Sequence, residues 1–515
     1  MPTASMPFSL ASYRDQLRQF PAITYAEYRD IPDDDVRLDI ARKNKVISTD
    51  TYNRTMNHIK GPRGRRPEAY TLTFRRSTNG RYLVANGLRR AVQEALDPTF
   101  THGEIDFARD FYADQRARGG NGFFDEAMWR DVVDRHGGRL PLRVRAVADG
   151  TVLLPGEPVA SVEGPGELAA HLEPLLLRTF YETAVTTDAV ELLLGVGKDR
   201  VVEAGKRAAI SEEDHVRALR ALAIAGIRQT SNDTAALAVP ELLTAGTTAH
   251  RFLACYDTEL EAMEAAIAAC DRVTLLVDLI EPKAGIEKII RLKRKHRGTG
   301  KAIFMRLDSG DLADQARYAF SRLREEGMLD PALDRISIAD VSRPGDLERL
   351  DAAVREVGVD PRLFVSYVTG QLLVMQDKTR NALSGAYKLT EADGRLTGKL
   401  AAGTGKGAIP GRLNVEIRDR ERVIVLDDEP AAGRRLLAPV YDGGRLLYAG
   451  DDRRALADAA AVLAGSFASR LLPARRSAAV EEAVARVEER FLAQIPLVQI
   501  PLAQISLRQV PGSVA

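Results

Sequence analysis

Cysteine is almost missing from this chain: 515 residues contain only Cys255 and Cys270. Two thiols cannot form a disulfide framework, and they lack the spacing of metal ligands, so a reducing cytoplasm is the expected compartment. Neither HExxH nor CxxC occurs, which removes the usual zinc signatures. No run approaches the ~18 consecutive apolar residues of a membrane-spanning helix, so no membrane partner is expected. The opening MPTASMPFSLASYRDQLRQF has no basic start followed by an apolar core, so no secretory leader is expected there. An excess of one charge is also missing, with 73 Lys and Arg against 72 Asp and Glu. That balance gives no global electrostatic case for nucleic acid. The basic runs GPRGRR (61–66) and RLKRKHRGTGK (291–301) read as solvated surface. GTGKG at Gly403 to Gly407 lacks the GxxxxGK[ST] spacing of a phosphate-binding P-loop and reads as a lysine-bearing loop.

What is present is enough to bury a large core: 45% of residues are hydrophobic and 28% charged. The length suits two or three domains. Residues 1–45 read as a polar N-terminal extension, and 46–168 as an α+β domain. In the latter, Asn79-Gly80 and Asp149-Gly150 are hairpin dipeptides between strand-like runs. From 169 to 384 the rhythm changes. VTLLVD, AIFMRLD and RISIAD end at Asp278, Asp308 and Asp340, and a helical pattern follows each. RLFVSY ends at Tyr367, and RVVE and ELLTAG precede them. Strand and helix alternating at about 30 residues predict parallel βα units and an irregular parallel α/β barrel. Ser211 and Asp214 predict a capped helix that carries Val216, Leu219 and Ala223 on one face and ends at Gly226. Residues 385–490 read as a closing β/α region that shares the α+β domain. A five-residue repeat opening at Gln494, Gln499, Gln504 and Gln509 marks a tail over 491–515. Its recurring prolines exclude a helix.

Reacting groups in α/β barrels come from the carboxyl ends of strands. Polar residues fall at these predicted ends: Glu203, His250, Asp278, Asp308, Asp340 and Tyr367. Any one of them could instead cap the next helix. The densest motif is Arg306-Leu307-Asp308-Ser309-Gly310-Asp311-Leu312. A glycine that allows close backbone approach, a helix start and two carboxylates suit a phosphorylated sugar bound with Mg²⁺.

Here the chain resembles the nicotinate phosphoribosyltransferase family. RLDSGDL is similar to the family's diphosphate-sugar loop, and STDTYNRTM (Ser48 to Met56) to its TDxYxxxM segment. LLPGEPVASVEGP, EAGKRA, QTSN, GTTAH and LLVD follow in the family's order, then YKL and Lys406…Pro410-Gly411. The resemblance covers about residues 46 to 420. It implies transfer of a phosphoribosyl group from phosphoribosyl diphosphate to nicotinate in NAD biosynthesis, with Mg²⁺ as cofactor and ATP as co-substrate. It implies roles residue by residue: His250 as a phosphoryl acceptor from ATP, Arg207 near the base and phosphates, and Asp308 and Asp311 on ribose or Mg²⁺. Thr247, Arg306, Ser309, Gly310, Asp340, Thr369 and Gly370 line the phosphoribosyl site. Tyr52 stacks on the pyridine ring from the neighbouring subunit of a homodimer. Ser231 stands where nicotinamide enzymes have aspartate, and a hydroxyl can donate to a carboxylate substrate.

The chain also departs from the pattern. Ala204 replaces a stacking phenylalanine, Val368-Thr369-Gly370 replaces a glycine-rich phosphate loop, and Lys206, Arg251 and Asp278-Leu279-Ile280 are unusual. These changes leave two alternatives open: a phosphoribosyltransferase for another base, such as nicotinamide, quinolinate or a bulkier heterocycle, and a non-catalytic nucleotide-binding homologue.

Overall fold

The computed structural model describes residues 17–197, 199–341, 343–399, 407–448, 452–467 and 474–492. Residues 1–16, residues 403–406 of the glycine loop and the repeat tail beyond Leu492 lie outside the described residues. The chain divides into two compact units. One takes residues up to Phe180, Thr379–Ala455 and those from Ala461, and the other takes Tyr181–Lys378 with Leu456–Ala460.

The second unit is the predicted parallel α/β element. Its strands are β1 (Val201–Glu203), β2 (Gln229–Thr230), β3 (Leu243–Thr244), β4 (Arg272–Leu276), β5 (Ala302–Leu307), β6 (Ile336–Ile338) and β7 (Val365–Thr369). They pair in the order β3-β2-β1-β7-β6-β5-β4, every pair parallel. Apolar runs such as AIFMRL fill the buried strands, and amphipathic helices such as Pro282–Lys295 and Leu312–Glu325 cover them. Gly285 shows how close that cover lies: a Cβ there would fall 1.9 Å from the Val277 carbonyl oxygen. The sheet curls without a ladder between its edges β3 and β4. Thr248, just past β3, spans the gap: its N–H donates to Thr274 O (2.9 Å), and its Oγ1 accepts from Leu276 N–H (3.0 Å). Ser211 caps the helix Glu212–Ala225 as expected, and Gly226 ends it at φ +115°. The run RLFVSY behaves differently: residues 361–364 are helical, and β7 continues to Thr369, past the expected end at Tyr367.

The first unit interleaves the two ends of the chain. Its antiparallel seven-stranded sheet runs Arg395–Leu396, Gly385–Ala392, Pro67–Phe74, Pro158–Pro165, Arg143–Ala146, Ala438–Asp442, Arg445–Leu446. As expected, segments after residue 385 share this domain: Gly385–Ala392, Arg395–Leu396, Ala438–Asp442 and Arg445–Leu446 are strands of its sheet, while Leu413–Arg418 and Glu421–Leu426 belong to a separate four-stranded sheet. The expected start of the barrel at 169 moves to 181, because the helices Gly166–His171 and Glu173–Leu177 belong to this unit. Both expected hairpins are corrected. The turns form, with Asn79 Oδ1 accepting from Arg81 and Tyr82 N–H and Thr151 N–H donating to Ala148 O. The arms find other partners: Leu83–Val84 pairs with Val152–Leu153, and Arg143–Ala146 pairs with Pro158–Pro165. Nor is the N-terminal segment merely polar. Tyr25 and Tyr28 stack edge-on against Phe107, and Tyr25 Oη donates to Asp114 (2.9 Å).

Burial pushes the Glu104 carboxyl up to about 7 from an ordinary 4.5, despite the opposing bonds from Thr101 and the charge of Lys45. Burial does the same to Glu167, also to about 7. A carboxyl with a raised folded-state pKa contributes stability that is full below about pH 4.5 and is lost as pH rises through about 7. Glu104→Gln, which keeps an oxygen to accept from Thr101, removes this contribution, so between pH 5 and pH 8 the urea midpoint should fall further, or rise less, in the wild type than in the variant. An identical change in both proteins would contradict this.

Candidate active site

Two chemically distinct segments converge on the carboxyl edge of the parallel sheet. The RLDSGDL loop leaves β5, and GTTAH lies between β3 and the short helix His250–Leu253. Arg306 ties them together: its guanidinium donates to Thr247 Oγ1 (2.7 Å) and to Asp308 Oδ1 (2.7 Å). A second set joins His250, Asp278 and Ser309. His250 Nε2 stands 3.2 Å from Asp278 Oδ1, off the direction of a formed hydrogen bond, and Ser309 Oγ donates to Asp278 Oδ2. The Asp278 side chain is nearly buried whereas the imidazole is half exposed. A carboxylate buried beside an accessible ring can orient that ring and stabilise positive charge on it. Gly310 turns the loop at φ +82°, and Gln315 Nε2 donates to Ser309 O (2.7 Å), fixing the backbone around it.

The other predicted residues divide by environment. Arg207, on the short 3-10 turn after β1, is exposed and has no ion-pair partner among the described residues. Ser231, after β2, is exposed, and its backbone is held by Glu203 O (2.8 Å). Asp340, after β6, is exposed and adopts φ +55°, a conformation costly for a residue with a Cβ. Asp311 caps the helix Leu312–Glu325 through Asp314 N–H (3.1 Å), so one of its oxygens already has a structural duty.

Several strand-end groups are internal. Glu203 is fully buried and accepts from Thr230 Oγ1 (2.6 Å), His215 Nε2 (3.0 Å) and Gly205 N–H. Tyr367 is fully buried, with its hydroxyl on Asp351, which also pairs with Arg200 at 2.6 Å. Thr369 is buried and donates to Val341 O (2.7 Å), so its hydroxyl is committed within the fold. Gly370 packs where a Cβ would meet Ala204 O at 2.5 Å, so close approach of the β1 and β7 ends explains this glycine.

The first unit holds a cluster that the motifs only hinted at. Lys388, from the YKL triplet, is held below its usual value by partial burial and by the neighbouring cations Arg75, Lys399 and Arg380, against the pull of Glu173. Tyr52 belongs here too: it lies on the helix Thr51–Lys60, is 47% exposed and bonds Glu173 through its hydroxyl. Strand pairing assembles the cluster, since Thr71 faces Lys388 and Phe74 faces Gly385 across a sequence gap of about 300 residues. A partly buried lysine with cations nearby is a ready site for a polyanion.

A divalent cation has a limited donor set. Among the described residues no three His, Cys, Asp or Glu side chains gather in a way that could hold a metal. Asp308 and Asp311 provide two carboxylates on one loop. Mg²⁺ commonly takes one or two carboxylates and completes its shell with phosphate oxygens and water, so the loop fits an ion that arrives with a polyphosphate.

Known proteins resemble this chain over most of its length. Residues 44–144 match the family model of the nicotinamide phosphoribosyltransferase N-terminal domain. A nicotinate phosphoribosyltransferase of Mycobacterium tuberculosis is 28% identical over 411 residues, covering 78% of this chain and 82% of the relative. One from Bacillus subtilis is 26% identical over 354 residues, covering 67% of each. The chain is a divergent relative of the nicotinate phosphoribosyltransferases. The crystal structure of human nicotinic acid phosphoribosyltransferase superposes with a TM-score of 0.64 at 20% identity, covering 86% of this chain and 100% of that one, which shows the fold. The family resemblance thus extends across both units.

Asp340 separates function from strain. Glycine adopts φ +55° freely, so Asp340→Gly should raise stability by about 0.5–1 kcal/mol while lowering turnover. Thermal melts and turnover of the same preparations check this. Loss of stability, or full turnover, would contradict a functional Asp340.

Proposed function

We propose that this protein transfers the phosphoribosyl group of phosphoribosyl diphosphate to nicotinate, giving nicotinate mononucleotide and pyrophosphate in NAD biosynthesis. The observation that carries the reading is the Arg306 bridge, which brings the RLDSGD loop and the GTTAH segment to one sheet edge. The relatives named nicotinate phosphoribosyltransferase support the choice of base.

In this reading the pyridine nitrogen forms a bond to the sugar C1′ while the C1′–O bond to pyrophosphate breaks, and the leaving oxygen keeps the electron pair. The residues position both partners and balance charge, which is where most of the acceleration in such a displacement arises. Arg207, exposed and unpaired, takes the nicotinate carboxylate, and the Ser231 hydroxyl donates to it. An aspartate at 231 would repel that carboxylate. Asp308 and Asp340 accept from sugar hydroxyls, and Arg306 with the backbone around Gly310 faces phosphate oxygens. Asp308 and Asp311 would hold Mg²⁺, which, when bound, neutralises charge on the departing pyrophosphate.

His250 is the proposed acceptor of a phosphoryl group from ATP, which would couple ATP hydrolysis to the transfer. Asp278 stands beside Nε2, which leaves Nδ1 as the nucleophilic nitrogen. A homodimer with shared sites is part of the proposal. Tyr52, Met56 and Ile59 fall on one face of the helix Thr51–Lys60 and are 47%, 44% and 77% exposed, an apolar stripe suited to a second copy. With few cysteines and no described helix long and apolar enough to cross a membrane, the expected location is the cytoplasm.

Ala204 favours a second reading, a bulkier base, because a methyl group replaces one wall of the ring slot. Incubation with phosphoribosyl diphosphate, Mg²⁺ and nicotinate, nicotinamide or quinolinate, with and without ATP, decides between them by mass spectrometry. Nicotinate mononucleotide should form, faster with ATP. His250→Ala should abolish the ATP effect, and Arg207→Ala should raise the KM for nicotinate by roughly ten- to a hundredfold. Product from another base only would move the assignment to that base, and intact phosphoribosyl diphosphate with every base would overturn the enzyme.

A further inference from the structure

The first unit contains a cavity of about 480 Å³ that the transfer reaction does not use. It opens between the helix Thr51–Lys60, on the face away from Tyr52, and the start of the helix Gly166–His171. We propose that it is a second ligand site, which takes a neutral, planar nitrogen heterocycle carrying an amino or carboxamide group.

The argument begins with two buried polar side chains on the cavity wall. Asn57 and Glu167 are 5% and 6% exposed; the Asn57 amide makes no hydrogen bond among the described residues, and Glu167 has only its ion pair with Arg54. Their polar atoms are not sealed in the packing but open on the cavity, where a ligand can meet them. Glu167 can only accept while ionised, whereas the Asn57 amide both donates and accepts. Together they match an edge that offers N–H donors next to an acceptor, as an aminopurine or a pyridine carboxamide does.

The nearby charges select for a neutral molecule. Arg54 Nη1 lies 3.8 Å from Glu167 Oε1, close enough to balance its charge and too far to satisfy it. The guanidinium is committed elsewhere, to Val46 O and over the rings of Tyr112 and Phe124 at 4.9 and 5.4 Å. Arg65, which also lines the cavity, is neutralised by a bidentate pair with Asp125 (2.7 and 3.1 Å). With Glu167 ionised, the two arginines and two carboxylates of the wall balance, so no charge of one sign is left over for a phosphate or a carboxylate. Aromatic side chains in the lining favour an aromatic ligand: His58 and Phe123 stack on each other at 3.9 Å and 13°, leaving their outer faces and edges, and Phe124 adds another ring. The volume falls within the range of small-ligand sites, about 300–1,000 Å³. Burial holds the Glu167 carboxyl near 7 even with Arg54 adjacent, as expected of an acceptor awaiting donors.

The test uses the full chain and two probes, adenosine and nicotinamide, titrated separately by calorimetry. At least one should bind, and Glu167→Gln and Phe123→Ala should each weaken it about tenfold or more. Both variants should remain folded by circular dichroism and keep the turnover of the wild type. Binding should survive Arg207→Ala and His250→Ala, which would impair the barrel site. Which probe binds tells whether the edge recognised belongs to an aminopurine or to a carboxamide. Failure of both probes at about millimolar concentration would overturn the proposal and leave the cavity to water. Binding untouched by both cavity variants, or lost with Arg207→Ala, would overturn it too, by placing the ligand in the barrel. None of these outcomes depends on which base the barrel uses.

Discussion

The Arg306 guanidinium donates to Thr247 and Asp308 at once, and the chemistry proposed for the parallel sheet depends on that pair of hydrogen bonds. Arg306 comes from the end of a buried strand, so its stem is fixed by the sheet, and its planar fork then sets the distance between two loops. Without it, Thr247 would be placed only by its own hydroxyl on Thr248 O, and the Asp308 carboxylate would face water unpaired. The neighbouring Thr248 carries the same segment across the gap between β3 and β4, where the sheet has no ladder. Closure of the curled sheet and construction of the site are therefore one event.

Behind the carboxyl edge lies a layer of buried charge that is architectural. Glu203 collects three donors from three segments, and Arg200, Asp351 and Tyr367 form a second, almost wholly buried knot. Removing one partner from such a pair strands a charge, at a cost of about 3–5 kcal/mol. These groups lock the β1 and β7 ends together, and the Ala204–Gly370 approach then follows. Substitution there is expected to unfold the barrel rather than alter its chemistry, which sets these residues apart from the exposed Arg207, Ser231 and Asp340.

Much of this was legible in the residues, because parallel βα units write their period locally. The strands ending near Asp278, Asp308 and Asp340 and the helices after them appear where the apolar runs place them. The strand at Tyr367 runs longer because an aromatic with a hydroxyl reads as a strand end, whereas here its hydroxyl is satisfied inside. Turn dipeptides marked Asn79-Gly80 and Asp149-Gly150 correctly as turns. They could not say which strands pair, since Leu83–Val84 chooses a partner about 70 residues away. The same limit hid the cationic surroundings of Lys388, which strand pairing sets opposite Thr71 across more than 300 residues of sequence. Nor does a sequence distinguish an acid that caps a helix, as Asp311 does, from one that only faces ligand.

The central claim is that the Arg306 bridge forms the phosphoribosyl diphosphate site. The most direct measurement is a calorimetric titration of phosphoribosyl diphosphate with Mg²⁺ into the wild type and into Arg306→Gln. The account predicts that affinity falls about tenfold or more while the variant remains folded by circular dichroism. Unchanged affinity in a folded Arg306→Gln protein would contradict it.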